Sequence, residues 1–123
     1  MAKDAFEVYG GNQLKGTIYP QGAKNEALQI ISAVLLTDQD ISIHNIPDIR
    51  DVNFLIELLH NMGVSVSKIS KGNYLFNAAN VDPDIVLSDE FKIKAANLRG
   101  SIMILGPLLT RFGRAHMPMP GGD

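Results

Sequence analysis

Three short stretches of this 123-residue chain combine residue types that act on small anions. The first is Gly22-Ala23-Lys24-Asn25, between a β-prone run and a segment of helical apolar periodicity. The free N–H groups and dipole of a helix starting there favour an anion, and Lys24 adds a full charge, so the stretch suits a phosphate or a carboxylate. Gly followed by Asn is also the composition of an ordinary helix start. A Walker loop is excluded, because the upstream glycine at the required spacing and the Ser/Thr after Lys are both missing. The second stretch is Asn97-Leu98-Arg99-Gly100-Ser101, directly before the almost wholly apolar Ile102 to Leu109. A planar cation beside a buried helix commonly holds a carboxylate or phosphate. A surface arginine at the mouth of that helix fits the same residues. The third is Pro120-Gly121-Gly122-Asp123, in which two glycines permit close backbone approach or a tight mobile loop and Asp123 is a candidate general acid or base. An aspartate ionises near pKa 4, so acid work at neutral pH requires desolvation or a neighbouring anion. A plain Gly-Gly-Asp turn is the competing reading. Arg111 and Arg114 fit the dipole of a helix C-terminus and solvation. His44, His60 and His116 have no partner at ligand spacing, so no metal site is read.

The elements that must position these residues follow from periodicity. Phe6-Glu7-Val8-Tyr9 and Leu14 to Tyr19, around Gly10-Gly11-Asn12, predict a hairpin. Ala27, Leu28, Ile31, Val34 and Leu35 recur at three and four residues and predict one buried face on a helix opened by residues 21–25. Asp40 to Asn45 alternates as a strand closed by Ile46-Pro47. Asp48 or Asp51 caps a second helix with the stripe Val52, Leu55, Leu58, Leu59 and Met62, ended by Gly63. Val64 to Ile69 and Tyr74 to Ala78 read as a hairpin. Ser88-Asp89-Glu90 then starts a third helical region that runs in some form to about Phe112. The order is ββ followed by a βαβαββ-like unit and more helix, an α+β class.

Composition bounds the function. Hydrophobic residues make up 46% and charged residues 20%, as in one globular core. A formal charge of −2 argues against a general grip on nucleic acid or an anionic membrane. With no cysteine, a disulfide framework, a thiolate zinc site and a cysteine nucleophile are excluded. The apolar run Ile102 to Leu109 is far shorter than the roughly 20 residues of a membrane span, and the start has no leader-like apolar stretch. A cytoplasmic protein is expected. The chain stops on a turn-forming sequence that ordinarily leads into another element, so a cut inside a longer protein is expected.

A faint internal repeat supports that reading. Ile31, Leu35, Leu36, Thr37 and Pro47 match Ile104, Leu108, Leu109, Thr110 and Pro120 at one offset without gaps, leaving a second copy unfinished.

Taken together, Gly22-Ala23-Lys24-Asn25-Glu26-Ala27-Leu28, Leu98-Arg99-Gly100-Ser101-Ile102, Leu105-Gly106-Pro107-Leu108 and Pro120-Gly121-Gly122 resemble, in order and spacing, the opening of the enolpyruvyl transferases, on the branch whose acceptor is UDP-N-acetylglucosamine. The resemblance covers essentially the whole chain, including the Pro47-Asp48-Ile49-Arg50-Asp51 turn. It implies an inside-out α/β barrel of two similar domains built from βαβαββ repeats, here incomplete. Residues 1–22 would join the far C-terminal part, and residues 23–123 would begin the other domain, truncated at the catalytic loop. The isolated piece would expose apolar faces, self-associate and be inactive. The implied reaction transfers the enolpyruvyl group of phosphoenolpyruvate to the 3′-hydroxyl of UDP-N-acetylglucosamine with release of phosphate, a step of peptidoglycan precursor synthesis that needs no cofactor. Lys24 and Asn25 match the phosphoenolpyruvate-binding pair, and Arg99 a position that contacts the nucleotide sugar. Asp123 stands where most members carry a proton-donating cysteine on a mobile lid, so insensitivity to fosfomycin, which alkylates that cysteine, is expected. Two other readings stand beside this one. The branch acting on shikimate 3-phosphate usually has Ser where this chain has Asn25. A non-catalytic anion-binding module would keep the helix-start site alone.

Overall fold

A computed structural model describes residues 4–119. Four α-helices and three strands are arranged in the order α1 (Lys24–Ala33), β1 (Asp40–Ile43), α2 (Arg50–Asn61), β2 (Ser65–Ser70), β3 (Asn73–Asn77), α3 (Asp89–Ala96) and α4 (Leu105–Phe112), with short 3₁₀ turns after α1 and before α3 and α4. The strands form one antiparallel sheet in the order β1-β3-β2. Because side chains alternate across a strand, Ile41, Phe76 and Val66 align in one row and turn to the core, where Phe76 is fully buried. The helices cover that face, so the layers share one apolar core.

The expected helical stripes are the core. Ala27, Leu28, Ile31, Val34 and Leu35 on the first helical segment are buried, as are Val52, Leu55, Leu58, Leu59 and Met62 on the second. Gly63 follows α2 with φ +99°, and a Cβ there would collide with the Asn80 carbonyl oxygen, so only glycine ends the helix in this way. Ser88 caps α3 by accepting from the Phe91 N–H at 3.2 Å. No helix among the described residues is long and apolar enough to cross a membrane.

Several expectations are corrected. Residues 4–23 contain no strand, and the side chains of Phe6, Val8, Tyr9, Leu14, Ile18 and Tyr19 are exposed. A two-stranded ribbon is marginal without an apolar surface to lie on, and none of these residues packs against the described core. The strand expected to reach Asn45 ends at Ile43, because Asn45 turns to φ 59°. Neither Asp48 nor Asp51 caps α2, whose N-cap is Ile49 without a side-chain bond; Asp48 instead accepts from the Asn53 amide at 2.8 Å. The helical region after Ser88 does run to Phe112, as expected, in three pieces: α3, a 3₁₀ stretch over Arg99–Ile104 and α4. Arg111 is not a solvated helix-end cation. Its Nη1 donates to the Leu35, Thr37 and Ala78 carbonyl oxygens at 3.1, 3.2 and 2.9 Å, binding the end of the first helical segment to α4 and to the residue that follows β3. Arg114 pairs with Asp84.

The two stretches that match at a fixed offset also match in burial. Ile31 and Ile104 are both fully buried, Leu35 and Leu108 likewise, whereas Leu36 and Leu109 both stand about half exposed. Phe76→Ala empties the centre of the sheet's inner face and is expected to lower unfolding free energy by about 3–5 kcal/mol, read by urea denaturation. Gly63→Ala should also destabilise, because it combines backbone strain with a collision.

Candidate functional site

The site begins with a helix whose start is left bare. Ala23 precedes α1 in extended conformation and provides no side-chain cap, and the first helical bond runs from Ala27 N–H to the Ala23 oxygen at 3.0 Å. The N–H groups of Lys24, Asn25 and Glu26 have no acceptor among the described residues, and all three residues are exposed. Backbone contact fixes this end in place. A Cβ on Gly22 would run into the Asn45 carbonyl oxygen, with Pro47 Cδ 3.4 Å away. The Asp48 N–H donates to Gln21 Oε1 at 2.8 Å, tying the segment before α1 to the turn before α2.

Arg99 reaches the same place from the other end of the described chain. It opens the 3₁₀ stretch between Leu98, which is buried, and Ser101, which is buried and donates to the Ala95 oxygen at 3.0 Å. Gly100 lies directly on α1: a Cβ there would stand 2.9 Å from Leu28 Cδ1. Absence of a side chain at residue 100 is what brings Arg99 to the α1 flank.

Lys24, Asn25, Gln29, Asp51 and Arg99 consequently line one open cleft of about 350 Å³, with Leu28, Ile102 and Met103 supplying apolar wall. The Lys24 ammonium donates to Asp51 Oδ2 at 2.7 Å. Arg99 is exposed and has no ion-pair partner among the described residues. The arrangement offers two cations, two side-chain amides and unpaired N–H groups to an anionic ligand, beside apolar surface that takes a short carbon skeleton. A smaller hollow of about 130 Å³ near Asn61, Ser88 and Lys94 lacks a free cation, since Lys94 is shared between Glu57 and Glu90.

Of the residues expected from sequence, Lys24, Asn25 and Arg99 thus meet in one cleft. Asp123 lies outside the described residues. By type and position Asp51 reads as a helix cap and as part of the Pro47 to Asp51 turn of the resemblance; its pair with Lys24 spans 27 positions and two elements, beyond any local periodicity. No group of three or more His, Cys, Asp or Glu side chains that could hold a metal occurs among the described residues.

Comparison with known proteins gives this cleft a context. The family model described as EPSP synthase (3-phosphoshikimate 1-carboxyvinyltransferase) matches residues 8–123. Over 119 residues the chain is 56% identical to a UDP-N-acetylglucosamine 1-carboxyvinyltransferase of Porphyromonas gingivalis and 53% identical to one of Bacteroides fragilis. A protein of that name from Campylobacter fetus is 39% identical over the same length. Each match covers 97% of this chain and 27% of the relative, so the chain spans about a quarter of the length of these proteins.

Because the Gly22 contact is with backbone, Gly22→Ala cannot be absorbed by a rotamer change. It is expected to destabilise by about 1–3 kcal/mol in urea denaturation. Gly100→Ala meets only the tip of Leu28 and should cost less.

Proposed function

Because the chain belongs to the EPSP synthase family of enolpyruvyl transferases, we propose that it forms the first quarter of an enzyme that transfers the enolpyruvyl group of phosphoenolpyruvate to the 3′-hydroxyl of UDP-N-acetylglucosamine. The observation that carries this reading is the convergence of Lys24, Asn25 and Arg99 on one cleft at a bare helix start. The names of the relatives at 53–56% identity favour the nucleotide sugar over shikimate 3-phosphate as acceptor.

Phosphoenolpyruvate carries a phosphate and a carboxylate on a three-carbon skeleton. Lys24, the amide of Asn25 and the first N–H groups of α1 hold its anionic groups, and Arg99 faces the nucleotide sugar. In the reaction an acid adds a proton to the methylene carbon, which makes the neighbouring carbon electrophilic. The sugar 3′-oxygen bonds to that carbon as a base removes the hydroxyl proton. The tetrahedral intermediate then loses phosphate and a proton from the new methyl group, giving the enolpyruvyl ether and inorganic phosphate. Fixed cations at the phosphate stabilise the charge that builds up on it as the C–O bond breaks.

In this proposal Asp123 is the acid. A carboxyl group donates a proton at neutral pH only if its pKa is raised, and an adjacent phosphoenolpyruvate anion acts in that direction. Residues 1–22 belong with the distant C-terminal part of the full protein, and residues 23–123 open the other domain of an inside-out α/β barrel. The exposed apolar side chains of residues 6–19 suit a strand that lies against another part of the protein. The isolated chain would self-associate through such faces and be inactive. Both substrates place the enzyme in the cytoplasm, in cell-wall precursor synthesis.

The decisive test measures phosphate release from phosphoenolpyruvate by the full-length protein that begins with this chain, offering the two acceptors separately. Release with UDP-N-acetylglucosamine alone is expected; release with shikimate 3-phosphate alone would reassign the acceptor, and release with neither would leave an anion-binding module. Lys24→Met is expected to lower kcat/KM for phosphoenolpyruvate by about 100-fold or more. A carboxylate does not form the stable thioether that a cysteine gives with fosfomycin, so the wild type should resist the drug and Asp123→Cys should be inactivated by it. Inhibition of the wild type at low drug concentration would remove Asp123 from the acid's role.

A further inference from the structure

We propose that Asp51 is a positioning residue, whose carboxylate fixes where the Lys24 ammonium stands in the cleft and through it sets how firmly phosphoenolpyruvate is gripped. The inference rests on the substrate reading above and adds a residue that reading does not use. Lys24 Nζ and Asp51 Oδ2 stand 2.7 Å apart, the shortest ion pair among the described residues. Their side chains are 50% and 43% exposed, so the pair adds little to stability and its effect is on geometry.

A lysine side chain has four rotatable bonds, and when exposed it spreads over many rotamers. A bond to a carboxylate on another element removes most of that freedom and leaves two of the three ammonium donors for a ligand. Asp51 is well placed to impose this. It sits in the first turn of α2, where the unpaired N–H groups favour a carboxylate. That turn is anchored by buried Ile46 and Pro47 and by the Asp48 N–H bond to Gln21. The two helix starts are thus fixed to each other, and the ion pair bridges them. Asp51 ignores the cation next to it in sequence: Arg50 is exposed and has no ion-pair partner among the described residues, because adjacent helix positions do not face each other. Asp51 also borders a second cleft, of about 210 Å³, with Arg50, Phe54 and Asn97, so the residue lines two hollows.

The test is a double-mutant cycle in the full-length protein, using Asp51→Ala, Lys24→Ala and their combination, with Asp51→Asn as the conservative variant. KM is measured separately for phosphoenolpyruvate and for the nucleotide sugar, and phosphoenolpyruvate binding is followed by titration calorimetry. Asp51→Ala is expected to weaken the grip on phosphoenolpyruvate by about 10- to 100-fold, as misplacement of a binding group does. KM for the nucleotide sugar and the melting temperature should stay unchanged. Asp51→Asn keeps an acceptor for Lys24 and should recover much of the loss, and Asp51→Ala should do nothing further in the Lys24→Ala background. An equal loss in both backgrounds, a parallel rise in both KM values, or unchanged phosphoenolpyruvate binding would overturn the proposal. If the wild type turns over neither acceptor, the substrate reading fails. The same cycle, run calorimetrically with inorganic phosphate, then decides the coupling of Asp51 to Lys24 alone, and wild-type protein that binds no phosphate overturns both.

Discussion

Everything in the cleft depends on how closely backbone can approach the first helix. At Gly22 the chain passes the Asn45 carbonyl oxygen with room for a hydrogen atom and nothing larger, and at Gly100 it lies, less tightly, against the tip of the Leu28 side chain. The first contact sets the start of α1 against the turn that leads into α2; the second sets Arg99 on the flank of α1. Gly100 lines the cleft itself, whereas Gly22 lies outside it. Each determines which charged side chains become neighbours, because a protein interior has no slack to let a displaced backbone settle elsewhere.

What could be read from the residues divides along physical lines. The stripes of α1 and α2 were legible because burial of one face imposes a 3.6-residue period, and every member of both stripes is in the core. The β2–β3 hairpin was legible for a similar reason, having Gly72 at φ +74° in its turn. Features that depend on distant partners were not. Val8, Tyr9, Ile18 and Tyr19 have strand composition, but forming a strand takes something to pair with and to cover it. Asp48 and Asp51 are ideal cap residues by type, yet one is engaged by Asn53 and the other by Lys24. In the candidate site, Lys24, Asn25 and Arg99 can be named singly, and the Pro47 to Asp51 turn stands out by its cap residues and by the resemblance. That this turn contributes a wall of the same cleft follows from tertiary packing alone.

Arg111 shows the same limit in a structural role. By position it is a cation at a helix C-terminus, the commonest place for one. Its guanidinium does serve carbonyl groups at a helix end, but at the end of the first helical segment and not its own. A third bond, to the Ala78 oxygen, brings in the strand region, so one planar group joins three parts of the fold. The matching burial of Ile31 with Ile104 and of Leu35 with Leu108 places these two helical segments as counterparts around one core.

This clamp also carries a timing. Arg111 and Leu35 are separated by 76 positions, so on the ribosome the carbonyls that end the first helical segment are made long before their donor exists. The β2–β3 hairpin, whose partners are close in sequence, can form as soon as it emerges. Until residue 111 has been synthesised, the Leu35 and Thr37 carbonyl oxygens are without this donor. The clamp is therefore a contact of high sequence separation, whose closure costs more chain entropy than that of the hairpin.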